Sequence, residues 1–428
     1  MTPDVIVVGG GITGLIAADE LAAAGRRVTL VEARDRLGGR IDTRRANGLS
    51  APIELGAEFV HGEHVATWEY LRAFQLDAYE LPEHHERRRH GRPIRFPDVF
   101  GALERLLDEA HGDRPLGDVI GERRAAGDDP ELLDAVAAFV EGFHAADLSR
   151  IGTGGLRINA EAEEQDGHRQ FRLLAGYDGL VRGLAGRLGQ RGVEVRPATV
   201  ATRIDWRQGE ATVAARHHDG AEVQLAAPRA VVTLPQGVLR APPEAEGAVR
   251  WAPLPPGWHD ALGGIEMGDA ERVVLQFDAA WWNDGGASPS FVHGPGEALP
   301  VWWTPLPRTA PILTGWAGGP RGRAVAALDR ESLTRCAIDS LAHIFGRTAD
   351  ELAARLVALH HHGWTRDPFA RGGYSYPGVG AAAAQSHLRR PVADTIFLAG
   401  EALAGGRNGT VHGAIDEGRR VARAVLGG

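Results

Sequence analysis

Asp4-Val-Ile-Val-Val-Gly9-Gly-Gly11-Ile-Thr-Gly14-Leu-Ile-Ala-Ala18 runs from an apolar stretch through a glycine-rich turn into an alanine-rich one. This is G-x-G-x-x-G set between a strand and a helix, the context that gives the motif meaning. Gly9 permits the tight turn, Gly11 lets the backbone approach a pyrophosphate, and Gly14 lets the helix pack close to the sheet. The phosphates then lie on the helix N-terminus, where unpaired N–H groups and the helix dipole favour negative charge. Gly25 ends the helix, residues 28–31 form a second strand, and Glu32 stands at its end. A carboxylate there accepts hydrogen bonds from both ribose hydroxyls and repels a 2′-phosphate, so an adenosine dinucleotide other than NADP is expected.

Glu32-Ala-Arg34-Asp-Arg-Leu-Gly38-Gly39-Arg40 continues with a second glycine pair and flanking arginines suited to phosphate. Further along stand Glu54-Leu-Gly56-Ala57-Glu58-Phe-Val-His61-Gly62, Arg229-Ala-Val-Val-Thr-Leu-Pro235 and Trp364-Thr-Arg-Asp-Pro-Phe-Ala-Arg-Gly372-Gly-Tyr374-Ser-Tyr376. Near the end come Ile396-Phe-Leu-Ala-Gly400-Glu401 and Gly409-Thr410-Val411-His412. Together these segments resemble the flavin-containing amine oxidase family of monoamine oxidases, polyamine oxidases and histone demethylases, and they span both ends and the middle of the chain.

The resemblance implies an α/β fold: a Rossmann-like, glutathione-reductase-type FAD-binding domain interleaved with an α+β substrate domain. The expected division is 1–62, 171–250 and 364–428 for FAD, with 63–170 and 251–363 for substrate. It implies FAD contacts at Gly9, Gly11, Gly14, Glu32, Arg34, Gly38, Gly39, Arg40, Gly56 and Ala57. It adds Val200 beside adenine, then Trp364, Gly400, Glu401, Thr410 and Val411. Tyr374 falls where the family places one wall of an aromatic cage, with Thr410 opposite. Glu58 and His61 are candidate substrate contacts, Glu58 toward a distal ammonium, each with a role as a satisfied polar group beside the flavin as the alternative. Gly373 stands where covalently flavinylated relatives carry Cys, so non-covalent FAD is expected.

The chain departs from the family at one position. Glu271-Arg272-Val-Val-Leu-Gln-Phe277 resembles the strand on which most members carry a Lys near flavin N5, and here the residue is Arg272. All 47 Lys-plus-Arg residues are Arg. Drift toward Arg in a GC-rich genome is the bland explanation. The sharp one is altered chemistry, because Lys can lose its proton whereas Arg stays charged. Arg272, Tyr374 and Thr410 are therefore the candidate catalytic set.

The implied reaction is oxidation of a primary or secondary amine, monoamine- or polyamine-like, to an imine, with oxygen reduced to hydrogen peroxide. Two alternatives stand beside it. One is a flavin desaturase or dehydrogenase of a non-amine substrate using another acceptor; the other is a flavin-loaded interaction protein with little turnover. A small-molecule amine and molecular oxygen are the implied partners, and a homodimer is a candidate assembly.

Composition agrees with an enzyme of this size. At 428 residues the chain exceeds what one core usually supports, and its apolar fraction of 43% is ordinary. A net charge of −9 argues against nucleic acid or an anionic membrane and mildly favours cationic small molecules. The first strand begins close to Met1, so no signal peptide is expected, and no apolar run reaches the length of a membrane span. The single cysteine, Cys336, excludes an intramolecular disulfide, reads as a buried small hydrophobe and fits a reducing cytoplasm.

Helical spacing marks 65–75, 100–110, 131–145 and 331–345, and strands are expected at 202–206, 211–215, 273–277 and 312–316. The charge run Pro82–Gly91 with His84, His85 and His90 reads as a solvated loop rather than a metal site. His360, His361 and His362 lie on an expected strand, where alternation sends them to different faces and argues against a shared metal.

Overall fold

All four residues of the Val5–Val8 strand are buried, as expected of a central strand covered on both faces. The computed structural model describes residues 2–283 and 289–427. Val5–Val8 lies third in a five-stranded parallel sheet ordered Glu194–Arg196, Val28–Val31, Val5–Val8, Arg229–Val232 and Ile396–Leu398. Helices Ile12–Ala23, Asp178–Gln190 and Val411–Leu426 cover one face through a shared apolar core. The other face packs on a four-stranded sheet built from Thr199–Arg207, Glu210–His217, Glu222–Ala227 and Arg250–Ala252. This helix–sheet–sheet layering fits the expected dinucleotide-binding architecture.

A second, seven-stranded sheet is ordered Leu356–His361, Ala270–Phe277, Ile312–Gly318, Val301–Trp303, Phe291–His293, His85–Arg89 and Arg92–Pro93. Its strands all come from within 63–170 and 251–363, while those of the parallel sheet come from the other three segments. One of its faces carries Val273, Leu275, Trp302 and Leu313 and packs against helix Arg330–Phe345. Alternation then directs Arg272, Trp303 and Trp316 to the opposite face. Arg272 pairs directly with Trp316 across the antiparallel ladder, and Trp316 pairs with Val301. Helices Val99–Glu109, Leu116–Ala125, Pro130–Phe143 and Thr153–Asp166 form a separate apolar cluster that takes in Tyr376.

The expected helices and strands are present with small shifts at their ends. The stretch 65–75 is a shorter helix, Val65–Ala73, and 202–206 extends to Thr199–Arg207. The reading of Pro82–Gly91 as a loop is corrected: His85–Arg89 is a strand that pairs in parallel with Phe291–His293. Its charged sequence suits a strand near a sheet edge, where polar residues blunt further pairing. Cys336 is half-buried rather than buried. Among the described residues, no helix is long and apolar enough to cross a membrane.

Candidate functional site

The glycine turn closes through its own backbone. Gly9 has φ +109°, and a Cβ on Gly14 would stand 1.9 Å from the Gly9 carbonyl oxygen. Only glycine allows that approach, so the first helix starts flush against the strand end. Gly11 is its N-cap, with no side-chain cap and no acidic residue in the first turn. The second glycine loop lies against the first: Gly38 bridges to Gly11, and a Cβ on Gly39 would meet the Gly11 Cα at 3.2 Å.

Glu32 is buried and accepts the Gly10 and Arg34 amides at 2.7 and 2.8 Å. One function of this carboxylate is thus to fix both loops. Thr199 donates its amide to the Glu32 carbonyl at 2.8 Å, which places neighbouring Val200 next to the same turn. Arg34 pairs with Asp367 at 2.7 Å and lies over the Trp364 and Phe369 rings, at 5.7 and 5.6 Å. The W-x-x-D-P run therefore acts on the second loop from more than 300 positions away, at its own Asp367. Trp364 donates to the Leu55 carbonyl at 2.7 Å, and a Cβ on Gly56 would strike the Arg40 carbonyl.

Glu401 gathers the C-terminal motif. One oxygen accepts from Arg40 at 2.8 Å and from the Ser375 amide at 3.3 Å. The other accepts from the Ser375 hydroxyl at 2.5 Å and the Gly409 amide at 2.7 Å. Thr410 caps helix Val411–Leu426, accepting from the Gly413 amide at 2.9 Å while its hydroxyl donates to the Arg407 carbonyl at 2.6 Å. His412 nears Asp166 at 3.7 Å, and burial first, then its histidine neighbours, pulls its pKa down to about 3. Asp166 is held by Arg407 at 2.6 Å.

These elements border one cavity of about 1110 Å³. Gly9, Gly11, Glu32, Arg34, Gly38, Gly39, Arg40, Gly56, Ala57, Val200, Trp364, Gly400, Glu401, Thr410 and Val411 all line it. Gly14 does not, because it works from behind the turn. Glu58, His61, Arg272 and Tyr374 line the same space. The volume exceeds that of a pocket for one drug-sized ligand, about 300–1,000 Å³, and suits a dinucleotide together with a substrate. The walls fit such a group: two helix N-termini border it, and buried Arg272 Nε and Asn408 Oδ1 have no partner within the described protein.

Arg272 is buried between two indoles, 5.2 Å from the Trp303 ring and 5.8 Å from that of Trp316. It donates to the Glu54 carbonyl at 3.1 Å and pairs with Glu58 at 3.3 Å. Burial opposes its charge, and Glu58 followed by Glu54 supplies most of the compensation. Glu58 also accepts from Arg172 at 2.6 Å and from Trp303 Nε1 at 3.0 Å. Two guanidiniums and an indole thus surround the Glu58 oxygens, an arrangement that favours the satisfied polar group among the two expected roles over contact with a distal ammonium. Tyr374 stacks on Trp316 with centroids 6.1 Å apart and planes at 10°, and its hydroxyl donates to the Phe143 carbonyl at 2.6 Å. Burial raises its pKa. His61 is held neutral by burial alone, which brings its pKa to about 4.

A Cβ at Gly373 would stand 2.6 Å from that of Ala270. The three consecutive histidines have separate partners, His360 with Gln276, His361 with Glu271 and His362 with Asp367. Trp303, Trp316 and Arg172 belong to the site but escaped the sequence reading. The strand around Val301-Trp302-Trp303 held a partial signal, since alternation must send its two indoles to opposite faces.

A family model described as flavin containing amine oxidoreductase matches residues 12–426. Polyamine oxidase 3 of Oryza sativa subsp. japonica is 27% identical over 97% of this chain and 88% of its own length. Putrescine oxidase of Kocuria rosea is 25% identical, over 99% of this chain and 95% of its own. Among solved structures, putrescine oxidase bound to putrescine superposes with a TM-score of 0.81 at 21% identity, covering 100% of both chains. Cyclohexylamine oxidase from Brevibacterium oxydans IH-35A matches with a TM-score of 0.81 at 21% identity, covering 100% of this chain and 99% of that one. At these identities the two structures speak for the fold.

Proposed function

The chain belongs to the flavin-containing amine oxidoreductase family, and from that premise we propose that it binds FAD non-covalently and oxidises a primary or secondary amine to an imine. The single observation that carries this reading is the one continuous cavity joining the double glycine turn to the Tyr374–Trp316–Arg272 cluster. When bound, FAD supplies the redox chemistry, accepting a hydride from the amine carbon and passing the electrons to oxygen to give hydrogen peroxide.

Gly9, Gly11, Gly38 and Gly39 leave room for the pyrophosphate, and the first helix directs its free N–H groups there. Glu32 serves the ribose, Val200 the adenine, and Glu401 with Arg40 braces the opposite side. Tyr374 offers its π face to the amine, while Trp316, stacked behind it, fixes its plane. The amine must arrive neutral for hydride loss, and buried neutral imidazoles such as His61 leave its deprotonation to solvent at the mouth. Gly373 provides no attachment atom, and Ala270 closes the space a side chain there would need.

Arg272 favours a second reading of the oxidative half-reaction alone. A fixed guanidinium, already tied to Glu58 and Glu54, cannot take up a proton as a neutral lysine would. An acceptor other than oxygen follows if reoxidation in air is slow. Anaerobic mixing of the holoenzyme with a panel of amines tests the primary reading: at least one must bleach the flavin absorbance. Bleaching by an alicyclic hydrocarbon or an alcohol and by no amine would overturn it.

A further inference from the structure

The substrate half of the cavity has two aromatic walls. From Tyr374 the rings pass to Trp316 at 6.1 Å, Trp303 at 6.3 Å and Phe291 at 6.1 Å. They continue to His85 at 4.6 Å, then His293 at 5.3 Å and Phe96 at 5.3 Å. On the helical side, Phe143 stacks on Phe139 at 5.5 Å, and Phe139 meets Phe100 at 5.0 Å. The Tyr374–Phe143 hydrogen bond joins the walls at the inner end. Both walls finish at exposed rings, Phe96 at 42% and Phe100 at 70%.

Charge along this path is as telling as shape. Glu58 is bonded to the path at Trp303 Nε1 and already faces two arginines, so the local sum there is positive. Burial keeps His61, His144 and His293 neutral, each with a pKa near 4, and lowers that of His85. Glu83 acts on His85, and four further carboxylates border the substrate half. Glu131 and Asp134 are exposed on the helix that carries Phe139, and Asp134 pairs with Arg124 at 2.6 Å. Glu163 and Asp166 are on helix Thr153–Asp166, with Asp166 held by Arg407.

A diamine lying along the inner rings would bury its second ammonium against apolar faces, beside a Glu58 already paired with two guanidiniums and next to a net positive charge. An amine with one amino group has already lost its proton, as hydride loss requires, and places that neutral group at Tyr374 and its body against the aromatic walls, with no charge to bury. We propose that this chamber selects amines bearing a single ammonium on an aromatic or alicyclic body and discriminates against di- and polyamines, a proposal that rests on the amine-oxidation reading. The chain thereby differs in substrate class from the polyamine and putrescine oxidases it resembles.

The test compares anaerobic flavin reduction of the holoenzyme by 2-phenylethylamine and cyclohexylamine with that by putrescine and spermidine, beside equilibrium binding followed by tryptophan fluorescence. The expected result is reduction efficiency at least about tenfold higher for the single-ammonium pair. His293→Asp and, separately, Phe139→Asp place a carboxylate in each wall. Either folded variant should move the ratio about tenfold toward putrescine. Wild-type preference for putrescine or spermidine overturns the proposal while leaving amine oxidation intact, and loss of that preference in Glu163→Gln would show where the second ammonium goes. An unchanged ratio in both folded variants also overturns it. If dithionite bleaches the flavin but no amine bleaches it or binds, both readings fall.

Discussion

Arg272 and Glu58 form a buried ion pair at 3.3 Å, and Arg172 closes on the other Glu58 oxygen at 2.6 Å. The three side chains, each about one-tenth exposed or less, are walled by Phe59, Trp303 and Trp316. One carboxylate thus faces two guanidiniums, and it lines the cavity together with Arg272. Removing it leaves both cations buried without a counter-charge. Glu58→Ala should therefore cost about 3–5 kcal/mol of stability, read as a lower denaturation midpoint in the apoprotein and holoprotein alike. A change within about 0.5 kcal/mol would mean that solvent reaches these groups.

Arg272→Lys separates the two half-reactions. The shorter ammonium falls back from the position of Arg272 Nη1, the one nitrogen that reaches both Glu58 and the Glu54 carbonyl, but it regains a proton that can leave. Flavin reduction should stay within about threefold of wild type, while reoxidation by oxygen should change by about tenfold or more, as read by stopped-flow absorbance. Equal behaviour in both half-reactions would deny Arg272 any special part.

Gly373→Cys should not produce a covalent flavin by itself. Its Cβ falls 2.6 Å from the Ala270 Cβ, so the strand must shift before a thiol fits. Pairing it with Ala270→Gly removes that obstacle. Acid precipitation should release all the flavin from the single variant and retain a yellow fraction only in the double variant. Retention in the single variant would show that the strand yields easily.

Gly14→Ala should abolish cofactor retention. The added methyl would sit 1.9 Å from the Gly9 carbonyl oxygen, and overpacking of this kind costs about 1–3 kcal/mol or more. The protein should purify colourless, with circular dichroism still showing a folded chain. Normal flavin content would refute the tight-turn argument.

Glu54 has its pKa raised to about 7, chiefly by burial, although Thr43 and the Tyr177 amide both donate to it at 2.7 Å. The raised value means that the folded state holds the proton more tightly than the unfolded chain. The associated stability is therefore present below the ordinary value of 4.5 and is lost as pH rises through about 7. Glu54→Gln should flatten that portion of the stability–pH curve, measured by urea denaturation between pH 5 and 8. An unchanged slope would place the titration elsewhere.

The dinucleotide half was legible because its constraints are local. Gly9, Gly11 and Gly14 lie within one turn, Glu32 follows at the end of the next strand, and each glycine answers a backbone requirement that no other residue meets. The role of Asp367 was hidden, since its partner Arg34 is 333 positions away. His85–Arg89 was read as a loop because a charged edge strand lacks the apolar alternation that marks an interior one.

The sequence by itself determined a flavin-binding architecture, the absence of a thiol at Gly373 and the presence of Arg272 where most members of the family carry lysine. Tertiary structure alone decided what those residues face. Sheet register set Arg272 opposite Trp316, and long-range folding brought Arg272 and Arg172 against the same Glu58 carboxylate. The counter-charge of a buried cation depends on neighbours within a few ångströms, and in this chain those neighbours come from strands up to 218 positions apart.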